Sequence, residues 1–255
     1  MTDPRLITIP LSHYCEKARW ALDVTAFAYR EEGHAPVAHL RATRAAGGKT
    51  VPLLVHEGRV FADSTDIAHH ADALAPPDRR LVPAAGDPAR ARVLALEDEL
   101  DETLGVDARL LAYWYNLKDP EPARAMVSRM MPVRSPPLTR IAATLFRRLI
   151  FRKYRVSQAT AELAERRVRS MFSRLGETLE TDGYLVAGRF TLADLTLAAL
   201  ASPLLTPPEH PLRRVKTATP PGLAALRDEL SATPTGRHVL RMYREHRAPV
   251  PREAR

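Results

Sequence analysis

Residues 6–19 read LITIPLSHYCEKAR, and this stretch decides how the N-terminal part of the chain is built. A short apolar run ends at Leu11, and a segment with helical periodicity begins directly after it. The junction predicts a strand followed at once by a helix, with the hydroxyl of Ser12 and the thiol of Cys15 at the helix N-terminus. Unpaired backbone N–H groups and the positive end of the helix dipole favour an anion there, including a thiolate.

The composition is typical of a globular protein of 255 residues, with 45% hydrophobic and 27% charged residues. This length is sufficient for two domains without disulfides or metal. One cysteine excludes an internal disulfide, and the nine histidines show no ligand spacing, so no metal is predicted. We expect a cytoplasmic protein, because the sequence shows neither a signal-peptide pattern nor an uncharged apolar run of about 18 residues.

Hydrophobic periodicity divides the chain into two parts. Up to about residue 75 it predicts strand, helix, strand, helix, strand, strand and helix, with helices over 14–27, 37–46 and 64–74 and a hairpin turn at Glu57-Gly58. From Pro88 onward the periodicity is only helical. We therefore predict an α/β domain over residues 1–76, a linker over 77–87 and an all-helical domain over 88–255.

The order of these N-terminal elements resembles the glutathione S-transferase family. Three features carry the resemblance: a hydroxyl at the first helix N-terminus, Val51-Pro52 before the third strand, and Asp63-Ser64 before the third helix. The resemblance implies a thioredoxin-like βαβ-αββα domain that binds glutathione, followed by an all-helical domain.

A second match lies in the helical part. Residues 184–195 read YLVAGRFTLADL, which is similar to the C-terminal signature of that family. In this signature Thr191 and Asp194 would form a capping box that satisfies two backbone donors at the start of a buried helix. The two matches together span residues 5–75 and 183–202.

The resemblance implies a set of glutathione-binding residues. Ser12 falls where the family places the group that donates a hydrogen bond to the glutathione sulfur. Val51, before a cis Pro52, would pair through its backbone with the cysteinyl part of the tripeptide. Ser64 would bind the γ-glutamyl carboxylate at a helix N-terminus, and Asp63, in place of the more usual Glu or Gln, would meet the ammonium group.

The glycine carboxylate of glutathione usually meets a basic side chain from the region of the second helix. Lys49 is the first candidate for this contact and His39 the second. Cys15 lies almost one helical turn beyond Ser12, which indicates either a buried structural thiol or a group for disulfide exchange.

The resulting prediction is a homodimeric glutathione S-transferase of the detoxification type, which joins the glutathione thiolate to an electrophilic, largely apolar acceptor. Two alternatives remain open. One is a glutathione-dependent thiol transferase, reductase or dehalogenase that uses Cys15 or Ser12, and the other is a non-catalytic binding module with a basic partner-binding face. Tyr113, Trp114 and Tyr115 either line the acceptor cleft or belong to the helical core.

A basic segment lies in the helical part: residues 124–174 hold thirteen of the 38 Lys and Arg residues and two acidic residues. Within it Leu138, Ile141, Leu145 and Leu149 follow helical spacing, with arginines on the other faces. We expect this apolar stripe to pack inside the helical domain. Contact with a membrane surface is an alternative. Nucleic-acid binding is not expected, because aromatic residues are sparse in the segment.

Overall fold

The computed structural model describes residues 3–130, 135–179, 182–211 and 219–247. Its N-terminal part contains four strands and three helices in the predicted order: β1 (Arg5–Thr8), α1 (His13–Val24), β2 (Arg30–Gly33), α2 (His39–Ala45), β3 (Leu53–His56), β4 (Arg59–Phe61) and α3 (Ser64–Leu74). The last helix has the predicted bounds. The βαβ-αββα arrangement is therefore confirmed.

The four strands form one mixed sheet in the order β2-β1-β3-β4, with β1 parallel to β2 and antiparallel to β3. Helices α1 and α3 pack together with the sheet through a cluster of buried apolar side chains: Leu6, Ala18, Leu22, Leu54, Ile67 and Ala71. This thioredoxin-like arrangement leaves the N-terminus of α1 close to the end of β1, because only residues 9–12 separate the two elements.

Two helices are shorter than their periodicity predicts. Helix α1 ends at Val24 instead of reaching residue 27, because Ala26 adopts a left-handed conformation with φ of 56°. The Thr25 hydroxyl and N–H both donate to the Ala21 carbonyl at this end, at 2.8 and 3.1 Å. Helix α2 begins at His39, after Val37, whose φ of 73° is incompatible with a helix.

The rest of the described chain is helical. After a short 3₁₀ turn at Pro77–Arg79 come α4 (Pro88–Glu102), α5 (Leu104–Leu117), α6 (Pro120–Met130), α7 (Pro136–Lys153), α8 (Gln158–Thr178), α9 (Leu192–Leu205), α10 (Pro221–Ser231) and α11 (Pro234–His246). Helix α9 is almost wholly buried and starts at the predicted capping box, where Asp194 accepts from the Thr191 N–H at 3.0 Å. Among the described residues, no helix has the length and apolar character needed to span a membrane.

The prediction for the basic helix is wrong about which face is buried. Leu138, Ile141, Leu145 and Leu149 are 51–59% exposed. Helix α7 instead buries a neighbouring stripe, and its partners lie on α5 and α6: the cluster contains Ala143, Phe146 and Ile150 together with Leu117, Ala123 and Val127. Both stripes have helical spacing, so periodicity within α7 does not distinguish them.

Buried ion pairs join the N-terminal part to the helices. The Arg247 guanidinium donates to Glu16 at 2.7 Å and to Asp23 at 2.8 Å, and all three charges are largely buried. Lys17 is fully buried and pairs with Glu97 and Asp101 of α4. Helix α1 is thereby held against both α4 and the end of α11.

Candidate functional site

Ser12 is the N-cap residue of α1. Its Oγ accepts a hydrogen bond from the Cys15 N–H at 3.4 Å, which uses one oxygen lone pair and leaves the hydroxyl hydrogen free to donate. The side chain is partly exposed and lines a cavity of about 520 Å³. A donor at the positive end of a helix can stabilise an anion in that cavity.

Cys15 has a different environment. Its side chain is completely buried, and burial raises the pKa of the thiol, although Arg19 acts in the opposite direction. It is absent from the residues that line the cavity. A thiol that is both inaccessible and disfavoured as a thiolate is a poor nucleophile for disulfide exchange.

His13 and Tyr14 also line the cavity, but their polar atoms have partners on the helices. The His13 ring donates from Nε2 to the Gly105 carbonyl at 2.8 Å, and burial lowers its pKa to about 4, so the ring is neutral at pH 7. Tyr14 donates to the Asp101 carbonyl at 3.0 Å, and burial raises its pKa to about 12. Ser12 is therefore the hydroxyl group of this turn that is free to donate into the cavity.

The structure brings four of the residues predicted from the sequence to one cavity: Ser12, His39, Lys49 and Val51. The Val51-Pro52 peptide is cis, as the family resemblance implies. Pro52 itself does not line the cavity. The floor on this side therefore consists of the start of α1, the start of α2 and the segment that precedes β3.

Asp63 and Ser64 lie at the N-terminus of α3 and outside the cavity lining. Asp63 is the N-cap residue, and its Oδ1 accepts from the Thr65 N–H at 2.8 Å. Ser64 is 1% exposed, and its Oγ has no hydrogen-bond partner within the described part of the chain. A buried hydroxyl without a partner is costly unless a ligand satisfies it, so this helix end retains an unused polar group.

The two candidates for a carboxylate partner differ in charge. Lys49 is an exposed cationic side chain in the cavity lining. The pKa of His39 is lowered, first by burial and then by the nearby Lys153, so this ring is neutral at pH 7. Lys49 is the stronger partner for an anion on electrostatic grounds.

The opposite wall of the cavity comes from α5 and α7, and sequence reasoning missed most of it. It contains Arg109, Ala112, Tyr113, Asn116, Phe146, Leu149, Ile150, Lys153 and Tyr154. Three consecutive aromatic residues were singled out from the sequence. Tyr113 reaches the cavity, whereas Trp114 and Tyr115 pack in the apolar core formed mainly by the helices. A shift of one or two positions along α5 thus separates a cavity residue from a core residue.

The arrangement offers an anion-stabilising helix N-terminus opposite an aromatic and apolar wall. Within the described ranges, no group of three or more His, Cys, Asp or Glu side chains has the geometry of a metal site. The polar side chains that line the cavity carry hydroxyl, amide, imidazole or cationic groups, and the other lining side chains are apolar. Such a cavity suits a ligand that presents an anion to α1 and an apolar or aromatic group to α7.

Solved structures with the same fold align with nearly the whole chain. They include the beta-etherase LigF from Sphingobium sp. strain SYK-6 (20% identity, TM-score 0.58, 94% of this chain and 99% of that chain). Others are the theta class glutathione S-transferase from Xanthomonas axonopodis pv. citri with glutathione bound (19%, 0.56, 94% and 98%) and glutathione S-transferase unclassified 2 from Bombyx mori (15%, 0.57, 96% and 95%). At these identities the similarity shows the fold alone.

Sequence comparison identifies the family. The model of the glutathione S-transferase N-terminal domain matches residues 6–79, and the model of the C-terminal domain matches residues 130–234. Comparison with curated protein sequences gives no significant match. Since the two family models together match more than half of the chain and the sheet and helices have the corresponding arrangement, this protein belongs to the glutathione S-transferase family.

Proposed function

We propose that the protein binds glutathione at the N-terminus of α1 and transfers its thiolate to an electrophilic, largely apolar acceptor. One observation carries this proposal: the same cavity has the free hydroxyl of Ser12 on one side and the aromatic wall of α5 and α7 on the other. The bound glutathione in the related theta class structure supports the choice of thiol.

In the proposed complex the Ser12 hydroxyl donates to the glutathione sulfur. Together with the positive end of α1, this contact favours the thiolate over the thiol. The thiol proton leaves to solvent, and the thiolate attacks an electrophilic carbon of the acceptor. A new S–C bond forms as the bond to the leaving group breaks, and the leaving group departs with the bonding electrons.

The other parts of the tripeptide have partners along the same side. The backbone of Val51 would pair with the cysteinyl residue in the manner of an added strand. The glycine carboxylate would meet Lys49, whose charge makes it a better partner than the neutral His39. The γ-glutamyl carboxylate would satisfy the unpartnered Ser64 hydroxyl at the N-terminus of α3.

The burial of Cys15 argues against the alternative in which the protein's own thiol performs disulfide exchange. Ser12 lines the cavity and Cys15 does not, so Ser12 is the group that would meet the sulfur of bound glutathione. We therefore assign Cys15 a packing role on the buried side of α1.

Calorimetric titration with glutathione tests the proposal directly. We expect the native chain to bind glutathione and the Ser64→Ala chain to bind it about tenfold more weakly, because one charge-assisted hydrogen bond is lost. Thr144→Ala is a suitable control, since Thr144 lies on the exposed side of α7 and outside this cavity. Absence of binding by the native chain would refute the transferase proposal and favour the non-catalytic binding module.

A further inference from the structure

We propose that the acceptor wall of the cavity binds a carboxylate on the second substrate, with Arg109 as its direct partner, so that the preferred acceptors are aromatic electrophiles that carry an acidic group. This inference deepens the proposed function and depends on it, because it names the class of acceptor for the same cavity.

The charged side chains of the cavity lining are all positive. Its lining contains three cationic side chains, Lys49, Arg109 and Lys153, and no Asp or Glu within the described part of the chain. Neither Arg109 nor Lys153 forms an ion pair with a described carboxylate. A cleft lined by one sign of charge concentrates ligands of the opposite sign.

Two aromatic rings hold the guanidinium group of Arg109. Its Cζ lies 5.5 Å from the centre of the Tyr14 ring and 4.8 Å from the centre of the Tyr154 ring. Contacts with ring faces fix the plane of a guanidinium group but leave its N–H donors available in that plane. These donors have the fork geometry that matches a carboxylate.

Neighbouring residues keep this arrangement in place. The Tyr154 ring stacks on Tyr113 with centroids 5.2 Å apart, and the Tyr14 hydroxyl is held by the Asp101 carbonyl. Lys153 places its Nζ 5.2 Å from the centre of the Tyr154 ring and adds a second positive charge. An anionic group at Arg109 would therefore enter a preorganised cationic subsite.

Glutathione does not account for this charge. The cation assigned to its glycine carboxylate is Lys49, which precedes Val51 on the thioredoxin-like side. Arg109 and Lys153 come from α5 and α7, together with the apolar side chains Phe146 and Leu149 that would contact the acceptor. Lys49 thus comes from the thioredoxin-like part of the lining, whereas Arg109 and Lys153 come from its helical part.

A matched pair of aromatic ligands tests the inference without requiring turnover. We would titrate the native chain with 3-nitrobenzoate and with 3-nitrobenzamide, which have closely similar shapes but differ in charge. The carboxylate should bind at least tenfold more tightly, as expected for one charge-assisted contact. Arg109→Gln should abolish this preference, and Arg109→Lys should keep part of it, which guards against a folding defect in the first variant.

Two control variants make the result specific. Arg148→Gln removes the same charge from the exposed side of α7, outside the cavity, and should leave the preference unchanged. Lys49→Gln should weaken glutathione binding while the carboxylate preference persists. Equal affinity for the two ligands, or a preference that disappears with Lys49 instead of Arg109, would overturn the inference.

Conjugation assays separate this inference from the proposed function. With glutathione, 4-chloro-3-nitrobenzoate and its methyl ester react by addition of the thiolate and loss of chloride. After correction for the uncatalysed rates, Arg109→Gln should lower kcat/KM at least tenfold for the acid and less than threefold for the ester. If the ester is turned over and the acid has no advantage, the carboxylate subsite alone is refuted. If the native chain does not bind glutathione, the proposed transferase function is refuted.

Discussion

Removal of the Ser12 hydroxyl is the most informative perturbation of this site. In Ser12→Ala the N-terminus of α1 stays in place, but the proposed donor to the glutathione sulfur is lost. A charge-assisted hydrogen bond contributes about 1.5–3 kcal/mol, and one pKa unit corresponds to about 1.4 kcal/mol. The pKa of the bound thiol should therefore rise by about 1–2 units.

The sign of this shift determines the pH dependence. A higher pKa means less thiolate below the pKa, so kcat/KM should fall about 10–100-fold at pH 6.5. The loss should shrink towards pH 9.5, where the thiol ionises in both proteins. A more basic thiolate is also intrinsically more nucleophilic, which reduces the difference further at high pH.

The loss of a helix cap is a separate effect and can be controlled. The Ser12 Oγ to Cys15 N distance of 3.4 Å is long, so the cap contributes at the lower end of the usual range, about 0.5 kcal/mol. Ser12→Gly removes the hydroxyl with an even smaller loss of helix-cap stability. Ser12→Thr retains both the cap and the hydroxyl donor. We expect the Ala and Gly variants to show the same rise in the pKa of the bound thiol, and the Thr variant to resemble the native chain.

The assay is the pH profile of kcat/KM for conjugation of a neutral chloronitroaromatic acceptor, with the ultraviolet absorbance of the bound thiolate as a direct readout. A loss of equal size at every pH would show that Ser12 contributes to binding or folding instead of ionisation. An unchanged profile in Ser12→Ala would refute the assignment of Ser12 altogether.

Three further predictions concern buried groups. Cys15→Ala should leave conjugation and disulfide reduction unchanged, and a tenfold loss of either activity would reinstate the thiol. His13 has a pKa of about 4 against 6.5 when unfolded, so the unfolded chain binds the extra proton. Stability should therefore fall by about 3 kcal/mol more between pH 6.5 and 4 in the native chain than in His13→Gln, as measured by urea unfolding. Arg247→Gln should cost about 3–5 kcal/mol in the same assay, because it leaves Glu16 buried with fewer partners. Arg244→Gln, at an exposed position, should cost less than about 0.5 kcal/mol, and equal losses in these two variants would contradict the argument.

Several local features of the fold could be predicted from short sequence patterns. Helix α3 has the predicted bounds, since Asp63 and Ser64 supply a clear start signal and no residue within the helix interrupts it. The hairpin between β3 and β4 follows from Glu57-Gly58, whose φ values of 50° and 74° are those of a tight turn. Ser12 at the N-cap and the Thr191 capping box were predictable for the same reason.

The helical wall of the cavity could not be predicted from local sequence patterns. Tyr113 and Tyr115 lie two positions apart on α5, yet one reaches the cavity and the other donates from its hydroxyl to Glu165. Arg109 carries no local signal, because its importance depends on Tyr14, about a hundred residues earlier, and on Tyr154 of a separate helix.

Helix α7 shows most clearly which features local sequence determines and which depend on tertiary packing. Its sequence contains two apolar stripes with helical spacing, and either could have faced the protein. Interactions within a few residues specify where a strand turns into a helix and which group caps it, so the strand-to-helix junction at residues 6–19 could be predicted from the sequence alone. The buried stripe of α7, and with it the cationic helical wall of the cavity, depended on which surfaces α5 and α6 offered, because burial is a property of the partner as much as of the helix.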